Sequence, residues 1–493
     1  MNLHDLLKKI DIPFAVVRQG DGREINKIAY DSRKIEADDL FVAMNGIKAD
    51  GMAYIQHALE KGAAAVATER MPENIPAHIM VIVTPDTRAF LSALSSVWWG
   101  SPDKSLHLIG VTGTNGKTTT TKLIKWLWES NGTKSGLIGT INNMAGGKVL
   151  PATHTTPESW ELFEILSMMQ EESCKNVVME VSSHALKQGR VADCHYDAAV
   201  FTNLTQDHLD YHGSFNDYLE SKLKLFRMIK AEQGRYKYAV VNMDDALASR
   251  FIEACSVELW TYGVNPESRI VIKNYSIKVD GTYFTIGYDG TDYDIYTPLT
   301  GKFNIYNTLN AVCVGLAEGM SMESIIECMK HSPQVAGRFE RVDEGQDYTV
   351  IVDYAHTPDG LINVLSTARE LNPKRIITVF GCGGDRDKTK RPIMGGISAQ
   401  YSNFSIITSD NPRTESPDAI IAQIEEGMKA HNGKYTVQSN RREAIETAIS
   451  MAGTGDIVLV AGKGHEDYQL INGQVLHFDD KEVVREAVIK RGI

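Results

Sequence analysis

The chain has 493 residues, 43% hydrophobic and 23% charged, with a net charge of −12 at neutral pH. That is ordinary globular composition, long enough for about two to four domains, and it excludes a fibrous, low-complexity or disordered chain. The acidic balance argues against a nucleic-acid backbone as partner and requires any anionic substrate to be met by local basic residues.

The N-terminus, Met1 to Asp5, lacks the basic start and apolar run of a secretory signal. Residues 1–103 predict a small α/β domain. A short strand is expected at 38–44, a helix at 53–62, and buried strands at 63–67 and 79–83. Asp31-Ser32-Arg33-Lys34 and Lys48-Ala49-Asp50-Gly51 read as polar surface turns.

Residues 104–337 predict a central parallel-sheet domain. Leu106 to Ile109 is a strand, Gly110 to Thr119 a glycine-containing loop, and Thr120, Leu123, Ile124 and Leu127 mark a helix face that stops near Gly132. Strand, glycine loop and helix N-terminus together make a phosphate cradle: backbone N–H groups close on the anion and the helix dipole favours it. Lys117 is placed to reach terminal phosphates and the Thr118 hydroxyl to ligate Mg²⁺. The common G-x-x-x-x-G-K-[ST] pattern lacks its first glycine, which is Val111 here. Further on, His154-Thr155-Thr156-Pro157 is expected to open a helix capped by Thr156, with Glu158 in its first turn. The strand 176–181 carries Glu180 at its end, where a metal-side carboxylate sits in nucleotide-hydrolysing sheets. The strand 198–203 leads into Thr205 to Gly213, a polar loop in which His208 is a candidate Mg²⁺ ligand, although magnesium prefers oxygen. Lys222, among Lys224, Arg227 and Lys230, reads by itself as part of a solvated helix face.

Residues 338–493 alternate strands (348–354, 375–380, 404–408, 457–460) with helices such as 358–371, predicting a Rossmann-like α/β domain with polar clusters at its strand ends. Gly381-x-Gly383-Gly384 only loosely matches a dinucleotide fingerprint. The six cysteines form no C-x-x-C pair, so neither a zinc knuckle nor a disulfide framework is expected and a reducing, cytoplasmic location fits. No apolar run approaches the roughly 20 residues of a membrane span, so no membrane insertion is expected.

Taken in order, Asp31-Ser32-Arg33, Gly113 to Thr119, Glu180-Val181-Ser182-Ser183-His184, Thr202-Asn203-Leu204-x-x-Asp207-His208-Leu209-Asp210-x-His212, Gly301-x-Phe303-Asn304-x-x-Asn307, Gly337-Arg338-Phe339-Glu340 and Asp353 to Pro358 resemble the Mur ligases, ATP-dependent amide-forming enzymes of bacterial cell-wall synthesis. The family's phosphate loop is of the T-G-T-x-G-K-T kind, which accounts for Val111. Asp410-Asn411-Pro412-Arg413 resembles the motif of the branch that adds meso-diaminopimelate to UDP-N-acetylmuramoyl-L-alanyl-D-glutamate. An Arg fork suits the extra carboxylate of diaminopimelate, and L-lysine, the alternative amino acid, has none.

The resemblance implies three units: 1–103 for the UDP-sugar, 104–337 for ATP and 338–493 for the amino acid. It implies that Gly113, Thr114, Asn115, Gly116, Lys117, Thr118, Thr119, Asn304, Arg338 and Asp353 bind ATP, with Asn307 and His356 close by. Thr118, Glu180, His208 and, if carbamylated, Lys222 would surround Mg²⁺. Ser32, Thr155, Thr156, Ser182, Gln188 and Arg190 would hold the UDP-muramoyl-dipeptide. Arg386, Asp410, Asn411, Pro412, Arg413, Gly462 and Glu466 would surround diaminopimelate. A monomer is expected.

Overall fold

The structure is a computed structural model describing residues 1–46 and 50–492; Lys48 and Ala49 of the second polar turn lie outside them. Among the described residues the strands form three main sheets and one separate hairpin. In the first, Met80–Val83, Ala65–Thr68, Leu40–Val42 and Ile28–Ala29 run parallel, and Ala15–Arg18 closes one edge antiparallel. The helix expected over 53–62 is shorter. Asp50 accepts from the Met52 N–H (2.9 Å) to cap a 3₁₀ turn over Gly51–Tyr54, and the α-helix is Ile55–Glu60.

The second sheet is the largest, with eleven strands. Its middle is parallel: Glu258–Gly263, Tyr238–Asn242, Ala198–Phe201, His107–Thr112, Asn176–Glu180 and Ser135–Ile138 lie side by side. Strands buried on both faces are why these segments read as unbroken apolar runs. The helices Lys117–Ser130 and Lys302–Ala317 pack on one another over that face, sharing a core with Leu123, Leu127, Leu309 and Val312. Sequence reading left out the antiparallel extension Ile270–Lys278, Gly281–Tyr288 and Thr291–Thr297. Its second turn is Asp289-Gly290, both with positive φ (50° and 74°), the two-residue hairpin signal that Asp-Gly provides.

The third sheet places Thr349–Asp353, Ile457–Ala461, Ile376–Phe380, Phe404–Ile407 and Tyr435–Val437 in parallel, with Glu340–Val342 antiparallel at one edge. Helices cover both faces, giving two separate apolar clusters. The family-independent reading of three α/β units, with a parallel central sheet and a Rossmann-like C-terminal sheet, is the architecture observed.

One local expectation is overturned. Thr156 does not cap the following helix. That helix is Ser159–Glu171, its N-cap is Glu158, and no side chain caps it. Pro157 ends the preceding turn, and the Thr156 hydroxyl instead donates to the Glu180 carbonyl (2.8 Å) and accepts from the Ser182 N–H (3.0 Å).

Candidate active site

The phosphate loop leaves His107–Thr112, a central strand of the large sheet. Gly113 and Gly116 have φ of 151° and 87°. A Cβ at Gly113 would lie 1.9 Å from Thr202 Oγ1, and one at Gly116 would lie 2.3 Å from Asn307 Oδ1. Both positions therefore exclude any side chain. The loop is pinned by main-chain contacts: the Thr114 N–H donates to the Asn203 carbonyl (2.8 Å), the Asn115 N–H to Asn203 Oδ1 (3.0 Å), and Thr202 Oγ1 to the Asn115 carbonyl (2.6 Å). The helix that follows has no side-chain cap, so the first-turn N–H groups, those of Lys117, Thr118 and Thr119 included, are the donors a phosphate can use.

Two lysines converge on this loop. Lys117 Nζ donates to the carbonyls of Gly113 and Thr114, each at 2.8 Å, and Lys222 Nζ donates to Gly113 at 2.7 Å. Lys222 is thus not on a solvated face. In the helix Phe215–Met228 the buried stripe is Tyr218, Leu219, Lys222, Leu225 and Phe226, while Lys224 and Arg227 point outward. Burial pushes the Lys222 ammonium well below its usual range, and the Lys117 charge adds to the effect. Lys117 is itself lowered by burial.

Glu180 ends Asn176–Glu180, the parallel neighbour of the loop strand, and is 1% exposed. Its Oε2 accepts from Thr118 Oγ1 and Thr140 Oγ1, both at 3.0 Å, and Oε1 from the Thr140 N–H at 2.9 Å. From the third unit, Arg338 reaches Thr118 Oγ1 at 3.3 Å. A buried carboxylate touching a hydroxyl beside the cradle fits Mg²⁺, which takes few protein oxygens and completes its shell with water and phosphate. His208 has φ of 53°, lies 3.5 Å from Asp207 through Nε2, and packs against His184 and Tyr218; the Thr118–Glu180 contact forms without it. Among the described residues no three His, Cys, Asp or Glu side chains gather into a metal cage. Asn304 and Asn307 are buried and bonded to one another (2.9 Å). Asp353 accepts the N–H groups of Phe339 (2.6 Å) and Ala355 (2.7 Å); burial holds its carboxyl up to about 6 against the pull of Arg338. Its direct bonds therefore organise the start of the third unit.

A second cluster borders the first. Thr155 meets Thr140 (3.1 Å), so it touches the same residue that holds Glu180. Thr156 meets Ser182 (3.2 Å), Arg190 donates to the Thr156 carbonyl and to Gln188 (2.9 Å each), and Glu158 bridges Arg190 (2.8 Å) to Arg88 (3.5 Å) of the first unit. Ser32 is buried in the first unit, bonded to His57 Nδ1 at 3.0 Å within a 3₁₀ turn capped by Asp31. The structure brings Thr155, Thr156, Ser182, Gln188 and Arg190 together, and makes no direct bond from Ser32 to that group.

The third cluster lies at the strand ends of the C-terminal sheet. A cleft of ≈ 1190 Å³ between the second and third units is lined by Asp207 and His208 on one side and by Arg386, Asp410, Asn411, Arg413, Gly462 and Glu466 on the other. Arg413 adopts φ of 54° and donates to the Gly384 carbonyl at 2.8 Å. Asn411 donates to Glu466 (2.8 Å), and Pro412 is buried. Burial raises the Glu466 carboxyl, with Lys463 opposing and Asp410 reinforcing the shift. The glycine cluster 381–384 is a packing device and not a nucleotide fingerprint: a Cβ at Gly384 would lie 1.9 Å from the Pro412 carbonyl, and one at Gly383 2.9 Å from Arg413 Nη1.

Sequence reasoning missed four participants. Thr140 follows the strand Ser135–Ile138, and the strand-end rule points to it. Asp359 accepts from Asn115 (2.9 Å) and Thr205 (3.0 Å) across the cleft, with no signal in the sequence. Lys463 is fully buried and donates to Asn411 (3.3 Å) and Glu466 (3.2 Å). Arg391, also fully buried, pairs with Glu415 (2.9 Å) and donates to the Gly383 carbonyl (3.2 Å).

A phosphate cradle facing a charged pocket on a second parallel sheet defines a nucleotide-dependent α/β enzyme. Three family models match the chain: "Mur ligase family, catalytic domain" over 24–99, "Mur ligase middle domain" over 111–315 and "Mur ligase, glutamate ligase domain" over 337–464. Among curated relatives, the UDP-N-acetylmuramoyl-L-alanyl-D-glutamate–2,6-diaminopimelate ligase of Syntrophomonas wolfei is 46% identical over 99% of both chains, and that of Caldanaerobacter subterraneus is 44% identical over 99% of both. A solved structure of a ligase of that same name is 32% identical, with a TM-score of 0.67 over 95% of this chain and 96% of the other. The chain belongs to the Mur ligase family.

Proposed function

We propose that this chain is an ATP-dependent ligase that joins meso-2,6-diaminopimelate to the D-glutamate γ-carboxylate of UDP-N-acetylmuramoyl-L-alanyl-D-glutamate, releasing ADP and phosphate. It acts in peptidoglycan precursor synthesis, in the cytoplasm, where its six unpaired cysteines suit a reducing milieu. The relatives that match over nearly the full length bear that activity's name. The observation that carries the choice of amino acid is the cleft, in which Arg413 shares one lining with Glu466 and Asn411. An ammonium group suits the Glu466 and Asp410 side, and a distal carboxylate suits Arg413. No observation favours L-lysine.

In this reading the substrate carboxylate oxygen attacks the γ-phosphorus of ATP, the bond to ADP breaks, and an acyl phosphate results. The amine of diaminopimelate then adds to the acyl carbon, loses a proton, and phosphate leaves. A carboxylate is too poor an electrophile without this activation, and catalysis is mainly positioning and charge neutralisation. Residues 113–119 take the phosphates through backbone N–H groups and Lys117, while Asn304, Arg338 and Asp353 shape the rest of the ATP site. Thr118 and Glu180, with His208 and a carbamylated Lys222, hold Mg²⁺, which neutralises phosphate charge when bound. Burial lowers the Lys222 ammonium and so favours the neutral amine, the form that adds CO₂, which supports the carbamate. Thr155, Thr156, Ser182, Gln188 and Arg190 hold the muramoyl-dipeptide and Ser32 its nucleotide end. Arg386, Asp410, Asn411, Pro412, Arg413, Gly462 and Glu466 form the diaminopimelate pocket. One copy of the chain supplies every residue named, so a monomer suffices.

The test is a substrate panel with ATP, Mg²⁺ and UDP-muramoyl-dipeptide, varying the amino acid and weighing the product. A mass gain of one diaminopimelate residue is expected, with no comparable product from L-lysine. Equal turnover of lysine overturns the reading.

A further inference from the structure

The two loops that carry the amino-acid pocket do not leave neighbouring strands. Asp410–Arg413 follows Phe404–Ile407 and Gly462–Glu466 follows Ile457–Ala461, and Ile376–Phe380 lies between them in the sheet. No ladder bond links these two strands directly; Asn411 joins the two loops through Glu466 and Lys463, and the gap between the strand ends below them is bridged separately. Arg441 spans that gap. It is the first residue of the helix Arg441–Met451, held at its start by the Asn440 cap. Its Nη2 donates to the Ala461 carbonyl at 3.1 Å and its Nη1 to the Ser409 carbonyl at 3.4 Å, one on each side. Its Nε and Nη2 also meet the two oxygens of Asp480, both at 2.7 Å, in the first turn of the C-terminal helix Asp480–Arg491. Both side chains are fully buried. The guanidinium also lies under the pocket itself: a Cβ at Gly462 would be 2.9 Å from Asp410 Oδ2 and 3.9 Å from Arg441 Nη2.

Stability does not account for such a pair. Burying two charges costs desolvation that their attraction roughly repays, and apolar side chains of similar volume are often as good or better. What an apolar pair cannot do is donate hydrogen bonds to two strand-end carbonyls at once. We propose that the buried Arg441–Asp480 pair is a positioning device for the amino-acid pocket: its fork sets the spacing between the Asp410–Arg413 loop and the Gly462–Glu466 loop, and with it the fit to a diamino diacid. Arg441 touches no substrate; Asp480 holds the plane of its guanidinium. This rests on the ligase reading above.

The experiment compares wild type, the apolar double variant Arg441→Met/Asp480→Leu and the conservative Arg441→Lys. Wild type is first run on the amino-acid panel; if it does not turn over diaminopimelate, the ligase reading fails before the pair is tested. Given turnover, the double variant is expected to melt at or above the wild-type temperature and to raise the KM for diaminopimelate about ten-fold or more, the worth of a charge-assisted hydrogen bond. Its KM values for ATP and the nucleotide-dipeptide should stay within about three-fold, because those sites lie on other strands. Arg441→Lys keeps the charge and loses the fork, so it should fall between the two. An unchanged KM for diaminopimelate in a folded variant overturns the proposal, as does a parallel rise in all three KM values. If the double variant does not fold, Arg441→Lys is judged by the same two criteria.

Discussion

The phosphate loop and the loops proposed to hold diaminopimelate occupy the same topological place, beyond the C-terminal ends of parallel strands, yet different forces hold them. Gly113 and Gly116 let the phosphate loop press against Thr202 and Asn307, and main-chain bonds to Asn203 fix it. The amino-acid loops hang instead on buried charges: Arg391 with Glu415, Lys463 with Glu466, and Arg441 with Asp480. An anion of fixed shape needs a fixed ring of N–H donors, which backbone supplies cheaply. A zwitterion with two heads needs opposite charges at a set separation, and only side chains supply those.

The largest expected effect tests the first half of that contrast. Glu180→Ala removes the carboxylate that holds Thr118 and Thr140 and, in our reading, the metal. We expect kcat to fall about 100- to 1000-fold, the usual loss when a preorganised electrostatic group is deleted, with the KM for diaminopimelate little changed. A coupled ADP-release assay measures both, and residual activity within a factor of ten of wild type would remove Glu180 from the chemistry. Arg413→Ala comes next and should act on the other side alone. Losing one partner of a charge pair at a half-buried site costs about 2 kcal/mol or more, so the KM for diaminopimelate should rise roughly 30-fold or more while ATP binding holds. Unaltered kinetics would break the assignment of Arg413.

A subtler pair of variants separates packing from charge. At Gly384 a Cβ would meet the Pro412 carbonyl, which is backbone, and Gly384→Ala should lower stability by about 1–3 kcal/mol. At Gly383 the obstacle is the tip of Arg413, which can move. Gly383→Ala should therefore leave the melting temperature near wild type and raise the KM for diaminopimelate several-fold by displacing the guanidinium. If Gly383→Ala unfolds the protein instead, the glycine serves the backbone alone.

The same contrast decides what was legible in the sequence. Strands of the two parallel sheets were visible because burial on both faces makes them continuous apolar runs, and the phosphate loop was visible because its glycines and Lys117 lie within a few residues of each other. Lys222 was picked out only by the family resemblance; by itself a lysine among lysines looks solvated until the helix stripe with Tyr218 and Phe226 is seen to turn it inward. Arg441 and Asp480, thirty-nine residues apart, carry no local signal at all. Nor does Asp359, whose partners Asn115 and Thr205 belong to another unit. Contacts made within one turn of chain leave a pattern in the sequence; long-range charge pairing leaves none.

The last effect is a pH dependence located where the two regions meet. Tyr354 is flanked by the rings of His356 and His465, at 4.5 and 4.9 Å. Burial, with Lys390 nearby, holds His356 down to about 4; burial and Arg338 hold His465 down to about 3. An unfolded histidine titrates near 6.5. Both groups are thus depressed on folding, so their contribution is complete above pH 6.5 and is lost as pH falls, because the unfolded chain takes up protons that the folded one refuses. The slope is at most about 1.4 kcal/mol per pH unit for each histidine. Asp353, held up to about 6, works the other way: the folded state binds its proton first, so its contribution is present below about 3.8 and lost as pH rises through 6. Between pH 6 and 4 the two histidines are therefore partly offset by one carboxyl. Urea melts at pH 7, 6 and 5 should show wild type weakening toward acid. Over the same range His356→Gln/His465→Gln should flatten the curve, and Asp353→Asn should steepen it. An identical slope in all three proteins would mean that these rings reach solvent freely, and that the seam between the two sheets is wetter than the packing around Tyr354 requires.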